Sequence, residues 1–361
     1  MASLYRHTRE QAIAVQTLQA TNDAVMSAAQ ALPIGAVTLN KDFQIRWFNA
    51  AAEKILHLKP VQDIGQNLLN LLRSPPFVAY AKQTEWDEPL ILKIALEGNN
   101  QSIMMRIVHY ADDQLLLIAR DLTQIEKLET TRRDFVANVS HEMRTPLTVL
   151  SGFLETMREA PKGALSEEQS QQYLKLMHEQ ALRMEALVAD LLTLSALETS
   201  LSADRNTVHM STLIDSARQQ AESLSGGRHT LIWEIEPDLN ILGNQTELSS
   251  AITNLLTNAV RYTPQGQTIT VKWHKQADDS ARYSVTDTGI GIASEHLPRL
   301  SERFYTVDKG RSRAMGGTGL GLAITKHVAM RHDAQLEIQS KLGFGSTFSL
   351  VFAPDRVITA P

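Results

Sequence analysis

Two long stretches of the chain, about 124–160 and 167–199, carry apolar residues at alternating steps of three and four positions. This spacing predicts two amphipathic helices, and Pro161-Lys162-Gly163 between them predicts the turn of a helical hairpin. Two helices alone cannot enclose both apolar faces. The sequence therefore predicts that the hairpin pairs with a second copy in a four-helix bundle; the alternative is that the faces pack against another domain.

Shorter elements precede the hairpin. Residues up to about 30 contain no helix breaker before Pro33 and predict a connecting helix, and Asn49 is placed to cap a helix through Leu56. Runs of apolar residues bounded by turn residues predict five strands: Gly35–Leu39, Gln44–Phe48, Leu90–Leu96, Ser102–Tyr110 and Gln114–Ala119. Turns are predicted at Gly98-Asn99-Asn100 and Asp112-Asp113. Together these elements predict a small antiparallel sheet with helices.

The last third of the chain predicts a separate α/β domain. Its predicted elements are a helix from Val208 to Ser223, a strand at Thr230–Ile235, a helix at Gln245–Ala259, a strand at Arg282–Thr286 and a helix ending near Val328. The resulting domains are a helical connector at 1–29, an α/β domain at 30–121, the hairpin at 122–202, the C-terminal domain at 203–355 and a tail at 356–361.

Composition narrows the classes of function. The 361 residues are 43% hydrophobic, enough for more than one core, and a formal charge of −5 gives no basic surface for direct nucleic-acid binding. Zero cysteines exclude disulfides and thiolate metal sites. No apolar run reaches the ~20 residues of a membrane helix, and the N-terminus lacks a signal-peptide pattern, so the chain is expected to be soluble.

One histidine stands off the apolar face of the first hairpin helix. In Ser140-His141-Glu142-Met143-Arg144-Thr145-Pro146-Leu147 the apolar spacing passes through Met143 and Leu147, whereas His141 and Thr145 lie one turn apart on the polar face. An imidazole presented in this way can act as a nucleophile. Such a histidine is more often a solvated side chain, so the assignment depends on a phosphoryl donor elsewhere.

A polar face also marks the predicted helix at Gln245–Ala259 and its continuation. Asn254, Asn258 and Arg261 are spaced three and four residues apart and therefore share one side of a helix. Amide oxygens suit Mg²⁺, which bridges nucleotide phosphates, and Arg261 adds positive charge for those phosphates. The alternative is a helix with a solvated polar face.

Two glycine-containing segments follow. In Asp287-Thr288-Gly289-Ile290-Gly291 the glycines allow close approach of a planar ligand, and the carboxylate can accept a hydrogen bond from an exocyclic amine such as that of adenine. Gly316-Gly317-Thr318-Gly319-Leu320-Gly321 then enters an apolar helix, whose free N–H groups favour phosphate. The loop follows a polar stretch and lacks Gly-Lys-Ser/Thr, which argues against a Rossmann fingerprint and a Walker loop.

These segments, taken in order with Arg303-Phe304-Tyr305, resemble the motifs of bacterial sensor histidine kinases over about residues 122–355. Trp47-Phe48-Asn49-Ala50-Ala51-Ala52 and Arg120-Asp121-Leu122-Thr123 resemble a PAS sensor domain, and the alternative there is an α+β spacer without a ligand. The resemblance implies a multidomain α+β protein. Its parts are a PAS-like domain, a hairpin forming a dimeric four-helix bundle, and a Bergerat-type (GHKL) α/β sandwich that binds ATP.

The resemblance also assigns catalytic roles on the hairpin. His141 is implied to be the nucleophile that attacks the γ-phosphorus of ATP, and Glu142 to hydrogen-bond its other ring nitrogen and take up the proton. Thr145 resembles the position that orients water when such kinases dephosphorylate their partner. Pro146 removes a backbone hydrogen bond and is expected to loosen the helix there.

In the C-terminal domain the resemblance implies that ATP and Mg²⁺ are bound. Asn258 is the implied metal ligand. The residues implied to hold the nucleotide are Asn254, Asn258, Arg261, Tyr262, Asp287, Gly289, Gly291, Phe304, Gly317, Thr318, Gly319, Leu320 and Gly321. Among them Asp287 is implied to read the adenine amine, Tyr262 to pack against the base, and Phe304 to anchor a glycine-hinged lid.

The implied partners are a second copy of the chain and the receiver domain of a response regulator, to whose aspartate the phosphoryl group passes. Within the family, segments such as Pro33–Gly35 and Leu69–Pro76 resemble phosphate-regulon sensors, which implies phosphate-starvation signalling. Such sensors usually carry a membrane anchor, so tethering to the cytoplasmic side of the inner membrane, by an anchor or a membrane protein, is also expected. Two alternatives stay open: a degenerate dimeric scaffold, and an ATPase of the gyrase or chaperone type.

Overall fold

The computed structural model describes residues 2–96, 99–111, 113–161, 165–199, 204–308, 310 and 317–359. The chain forms two compact units, Met1–Asp134 and Phe135–Pro361. Among the described helices, none is long and apolar enough to cross a membrane.

The first unit is a five-stranded antiparallel sheet with helices. Its elements are α1 (Ala2–Ala31), β1 (Gly35–Asn40), β2 (Ile45–Phe48), α2 (Ala50–Leu56), α3 (Leu68–Leu72), α4 (Pro75–Ala81), β3 (Leu90–Leu96), β4 (Asn99–Ala111), β5 (Gln114–Asp121) and the start of α5 (Thr123–Glu159). The strand order is β2-β1-β5-β4-β3. The five strands are those that the sequence predicts; Gly98 and Asp112 of the predicted turns lie outside the described residues.

The core of the first unit lies between the inner face of this sheet and the short helices. Phe77 of α4 is fully buried among strand residues such as Leu39, Ile103 and Leu117. Asn49 caps α2 as predicted: its Oδ1 accepts from the Ala52 N–H at 2.9 Å.

The joint between the sheet and α5 is hydrogen-bonded on both sides. Leu122 N–H donates to the Ser102 carbonyl of β4 at 2.7 Å, and Ser102 N–H donates to Thr123 Oγ1 at 3.0 Å. Asp121 Oδ1 accepts from the Thr123 N–H at 2.8 Å, in the manner of a helix N-cap. The last strand therefore passes into the long helix without a flexible linker.

The second unit contains the remainder of α5 and all later elements. These are α6 (Glu167–Thr199), β6 (Asn206–Val208), α7 (Met210–Ser225), β7 (Thr230–Ile235), β8 (Leu239–Gly243), α8 (Gln245–Tyr262), β9 (Thr268–Lys275), β10 (Ala281–Asp287), α9 (Gly321–Arg331), β11 (Ala334–Lys341), β12 (Gly345–Phe352) and β13 (Val357–Thr359), with single 3-10 turns at Ser294–Arg299 and Pro354–Arg356.

A five-stranded sheet of order β11-β12-β10-β9-β7 and a three-stranded sheet of order β13-β8-β6 make up the C-terminal domain together with α7, α8 and α9. Among the described strands, β7 and β9 are the one pair that runs parallel. Apolar residues of the helices, such as Leu255 and Ile324, share one core with Trp273 and Leu350 of the large sheet. The predicted tail at 356–361 instead contributes β13, because Val357 pairs with Ile241 of β8.

Some apolar residues of the hairpin are buried against the C-terminal domain, and others are exposed. Leu187, Leu194 and Leu197 of α6 are buried in the core of the C-terminal domain, and α6 packs against α9. Leu154 and Leu182 remain 58% and 51% exposed. The first set agrees with packing on another domain, and the second leaves apolar surface for the predicted partner helices. Pro146 is buried, and α5 continues through it.

Candidate ATP-binding site

The site is a cavity of about 460 Å³ between α8, β10, β12, the glycine loop before α9 and one turn of α6. Asn244 caps α8 by accepting from the Glu247 N–H at 3.1 Å, and Leu248, Leu255 and Leu256 bury the opposite face of this helix. The predicted residues that line the cavity are Asn254, Asn258, Arg261, Tyr262, Asp287, Gly291, Gly317, Thr318, Gly319 and Gly321.

The α8 residues have different surroundings. Asn254 Nδ2 donates to the Gly321 carbonyl at 3.3 Å, so this amide also ties α8 to the glycine loop. Arg261 Nε is buried and has no hydrogen-bond partner among the described residues. A buried guanidinium nitrogen without a partner is costly, and an anionic ligand in the cavity would satisfy it.

Asp287 ends β10 inside the cavity and is 6% exposed. Its Oδ1 accepts from the Gly289 N–H at 2.8 Å. Burial raises the pKa of this carboxyl, while the backbone hydrogen bonds from Gly289 and Ser346 lower it. Gly289 itself does not line the cavity. A Cβ there would lie 2.6 Å from the Tyr262 carbonyl oxygen and 2.8 Å from Asp287 Oδ1, so glycine is required to hold the carboxylate in place.

A backbone hydrogen bond joins Phe304 to the glycine loop. Phe304 N–H donates to the Gly319 carbonyl at 2.8 Å, and Gly319 has a φ of +72° with no room for a side chain beside Phe304. The Phe304 ring packs on Phe135 of α5, with centroids 5.9 Å apart, and lies outside the cavity lining. Leu320 is also outside the lining and is fully buried at the start of α9. Phe304 and Leu320 thus contact the glycine loop from outside the cavity lining, and their contact with nucleotide stays a prediction.

Several lining residues have no counterpart in the sequence prediction. They are Ala186, Asp190, Thr253, Thr257, Ala259, Ile290, Ile292, Leu300, Tyr305, Thr306, Val307, Asp308, Leu322, Ser346 and Phe348. The Tyr305 hydroxyl lies 2.7 Å from His296 Nδ1, and the Arg299 guanidinium lies 4.4 Å from the Tyr305 ring centroid. Tyr305 follows directly after the predicted Phe304, but contacts of Asp190 with the glycine loop have no local sequence signal.

The predicted catalytic residues of the hairpin, His141, Glu142 and Thr145, do not line the described cavity. His141 is exposed on α5, and Thr145 Oγ1 donates to the His141 carbonyl at 3.2 Å. Arg183 of α6 donates to Glu142 Oε2 at 3.3 Å, and both side chains are largely buried. Glu142 therefore has an ion-pair partner that the sequence analysis did not anticipate.

Family models match three parts of the chain: the PAS fold at 24–106, the His Kinase A (phospho-acceptor) domain at 131–200, and the histidine kinase-, DNA gyrase B- and HSP90-like ATPase at 243–356. The phosphate regulon sensor protein PhoR of Pseudomonas aeruginosa is 42% identical over 99% of this chain and 80% of its own length. PhoR of Haemophilus influenzae is 32% identical over 91% of this chain and 76% of its own length. The sensor-like histidine kinase SenX3 of Mycobacterium tuberculosis is 36% identical over 65% of this chain and 57% of its own length.

The chain belongs to the family of sensor histidine kinases that includes PhoR. It is an ATP-dependent protein-histidine kinase with a multidomain α+β fold, as the sequence analysis predicted. A phospho-acceptor domain beside the ATP-binding domain argues against an ATPase of the gyrase or chaperone type.

Proposed function

We propose that this kinase transfers the γ-phosphoryl group of ATP to His141 and then to an aspartate of a response regulator in phosphate-starvation signalling. The observation that carries the proposal is the cavity itself, which combines a buried carboxylate, two amides and a guanidinium with glycines that allow close approach. The phosphate pathway is supported by similarity to the two PhoR proteins.

The chemical groups that line the cavity are suited to a nucleotide with bound Mg²⁺. The buried carboxylate of Asp287 accepts a hydrogen bond from the adenine amine, and Tyr262 packs against the base. Asn258 supplies a neutral oxygen of the kind Mg²⁺ prefers, with Asn254 beside it and the Arg261 guanidinium toward the phosphates. When bound, Mg²⁺ neutralises phosphate charge.

The transfer is a single displacement. A ring nitrogen of His141 forms a bond to the γ-phosphorus while the bond from phosphorus to the β–γ bridging oxygen breaks, and ADP leaves. The proton of the other ring nitrogen passes to Glu142, the neighbouring carboxylate. Arg183 forms an ion pair with Glu142, which fixes the position of that carboxylate on the hairpin.

The same helix serves the partner. An aspartate of the receiver domain, bound at α5, takes the phosphoryl group from His141. Thr145, one turn further along the helix, orients the water that later removes the phosphoryl group from the receiver. Two copies of the hairpin pair through their exposed apolar positions, such as Leu154 and Leu182. An anchor or a membrane protein holds the kinase at the cytoplasmic side of the inner membrane.

The test is His141→Gln incubated with γ-labelled ATP. We expect loss of acid-labile label with unchanged nucleotide affinity, because His141 does not line the cavity. His178→Gln is the matched control, since His178 is an exposed histidine on α6, and it should label as the original chain does. Retained acid-labile label on His141→Gln would overturn the assignment.

A further inference from the structure

A carboxylate of the helical hairpin reaches into the nucleotide cavity. Asp190 of α6 lines the cavity, and its Oδ2 accepts a hydrogen bond of 2.7 Å from Thr318 Oγ1 in the glycine loop. Leu320 N–H donates to the same Thr318 oxygen at 3.3 Å. The Thr318 hydroxyl is thus oriented toward Asp190 by the backbone at the start of α9.

Asp190 is partly buried and lies near one hydroxyl donor and one cation. Burial raises the pKa of its carboxyl, whereas the Thr318 hydrogen bond and the nearby Arg261 charge lower it. Arg261 and Thr318 are both among the groups expected at the phosphate end of the nucleotide. A carboxyl oxygen of the chain therefore lies among groups that the proposed function assigns to the triphosphate.

A second contact docks the other end of the same loop on the hairpin. Arg303 forms an ion pair with Glu198 near the end of α6, and its guanidinium lies 5.3 Å from the Phe135 ring centroid. His327 Nε2 of α9 lies 3.8 Å from Glu198 Oε1. Because Phe304 and Gly319 are hydrogen-bonded to each other, the Asp190 and Glu198 contacts hold one connected structure against α5 and α6.

We propose that Asp190 is an internal competitor of the ATP triphosphate: it holds the glycine loop on the hairpin until nucleotide displaces it and frees the ATP-binding domain. This inference rests on the proposed function, since release matters only if the domain must reach His141. Like charges at a few Å in a partly buried site repel strongly, so the docked Asp190 and a bound triphosphate exclude each other.

If the docked Asp190 and ATP exclude each other, a result follows that a purely structural role of Asp190 would not give. If docking and ATP compete, weakening any docking contact must tighten nucleotide binding by the same factor, even at a residue outside the cavity. Glu198 is such a residue, because it does not line the cavity. The ion pairs of Glu198 are partly exposed, so the expected factor is about three to five; for Asp190, a partly buried carboxylate that accepts a hydrogen bond, it is about ten.

The experiment measures the affinity of the full chain for AMPPNP with Mg²⁺ by calorimetry, and the initial autophosphorylation rate at subsaturating ATP. Asp190→Ala and Glu198→Ala should each bind AMPPNP more tightly and label faster, and exposed Glu185→Ala on α6 is the control. The exchange Glu198→Arg with Arg303→Glu should restore the original affinity, which loss of fold would not.

Unchanged or weaker AMPPNP binding in both Asp190→Ala and Glu198→Ala overturns the competition. This failure is distinct from failure of the proposed function, which would appear as absent acid-labile label in the original chain. The affinity measurement needs no phosphoryl transfer, so it decides the competition in either case.

Discussion

The PAS-like unit and the ATP-binding domain are both built on a five-stranded sheet with helices packed on it, yet they bury different chemistry. In the described part of the first unit the buried polar residues are Asn49 and Ser102. The second unit buries charged or titratable groups, including Asp287, His332 and Arg356. Burying such groups is costly unless they have partners, so their presence marks either a network or a ligand site.

Partners separate these two cases within the ATP-binding domain. Arg356 donates to Asp333 Oδ2 at 2.9 Å and to the Leu242 carbonyl at 3.2 Å, and His332 bonds Asn244 and Val328. These groups hold β8, α8 and α9 together. Asp287, by contrast, faces the cavity. Apolar burial therefore stabilises the fold of both regions, whereas a buried polar group that faces a cavity indicates a functional site.

The largest expected effect is on the stability of the first unit, whose core is apolar. Phe77→Ala should destabilise the first unit by about 3–5 kcal/mol, because it removes a fully buried ring. Leu71→Ala, at a 38% exposed position, is the control. Urea unfolding should show the loss, with AMPPNP affinity unchanged. An equal loss of nucleotide binding would show that the two units do not fold independently.

Glycine substitutions sharpen the comparison next. Gly291→Ala should cost roughly 3 kcal/mol and abolish nucleotide binding, because φ is +64° and a Cβ would lie 2.0 Å from the Lys341 carbonyl oxygen. Gly65→Ala in the first unit has a φ of +84° but open space, and about 1 kcal/mol is expected. Urea midpoints compare the two variants; similar losses would contradict the steric argument.

Asp287→Asn tests the buried carboxylate with almost no change in volume. An amide has one accepting oxygen, so satisfying the Gly289 N–H leaves only a donor toward the adenine amine. AMPPNP affinity should fall by about tenfold or more. Exposed Asp278→Asn serves as the control. An affinity within twofold of the original would remove Asp287 from the site.

The smallest effect is a dependence of stability on pH. His332 Nδ1 donates to the Val328 carbonyl at 2.8 Å and Nε2 accepts from the Asn244 N–H at 3.0 Å, so the folded state requires the neutral ring. Burial lowers the pKa of His332, opposed by the Val328 hydrogen bond and by Glu247. Its stabilisation is full above the unfolded pKa of about 6.5 and is lost as pH falls through the lower folded pKa.

Thermal unfolding between pH 8 and pH 5 measures this loss as a difference between the original chain and His332→Gln. The variant should be less stable near neutral pH and should lose less on acidification. A constant difference across the range would mean that His332 does not titrate with folding.

Local patterns predicted the elements whose signals are local. The two hairpin helices, the Asn49 cap and all five strands of the first unit agree with the structure. Strands β6, β8, β9, β11, β12 and β13 were not predicted. The alternation of polar and apolar residues in Thr268–Lys275 is a local strand signal that the prediction did not use, whereas β6 and β13 are only three residues long. Pairing with distant strands, as between β13 and β8, stabilises such segments, and a single short window does not contain that information.

Residues of the site that belong to a local sequence motif could be predicted. Helical spacing placed Asn254, Asn258 and Arg261 at one cavity, whereas Phe304 and Leu320 support the loop from outside it. Asp190 was missed because its contact with Thr318 joins residues 128 positions apart. A carboxylate on a helix is ordinarily a solvated residue, and the packing of α6 on α9 brings this one to the cavity.

The joint at Leu122 and Thr123 fixes the rotational phase of α5 relative to the sheet that precedes it. An α-helix turns by about 100° per residue, so one residue inserted after Thr123 rotates every later side chain of α5 about its axis, while seven return it almost to the starting angle. Signalling through α5 should therefore oscillate with insertion length, with a period of about seven residues.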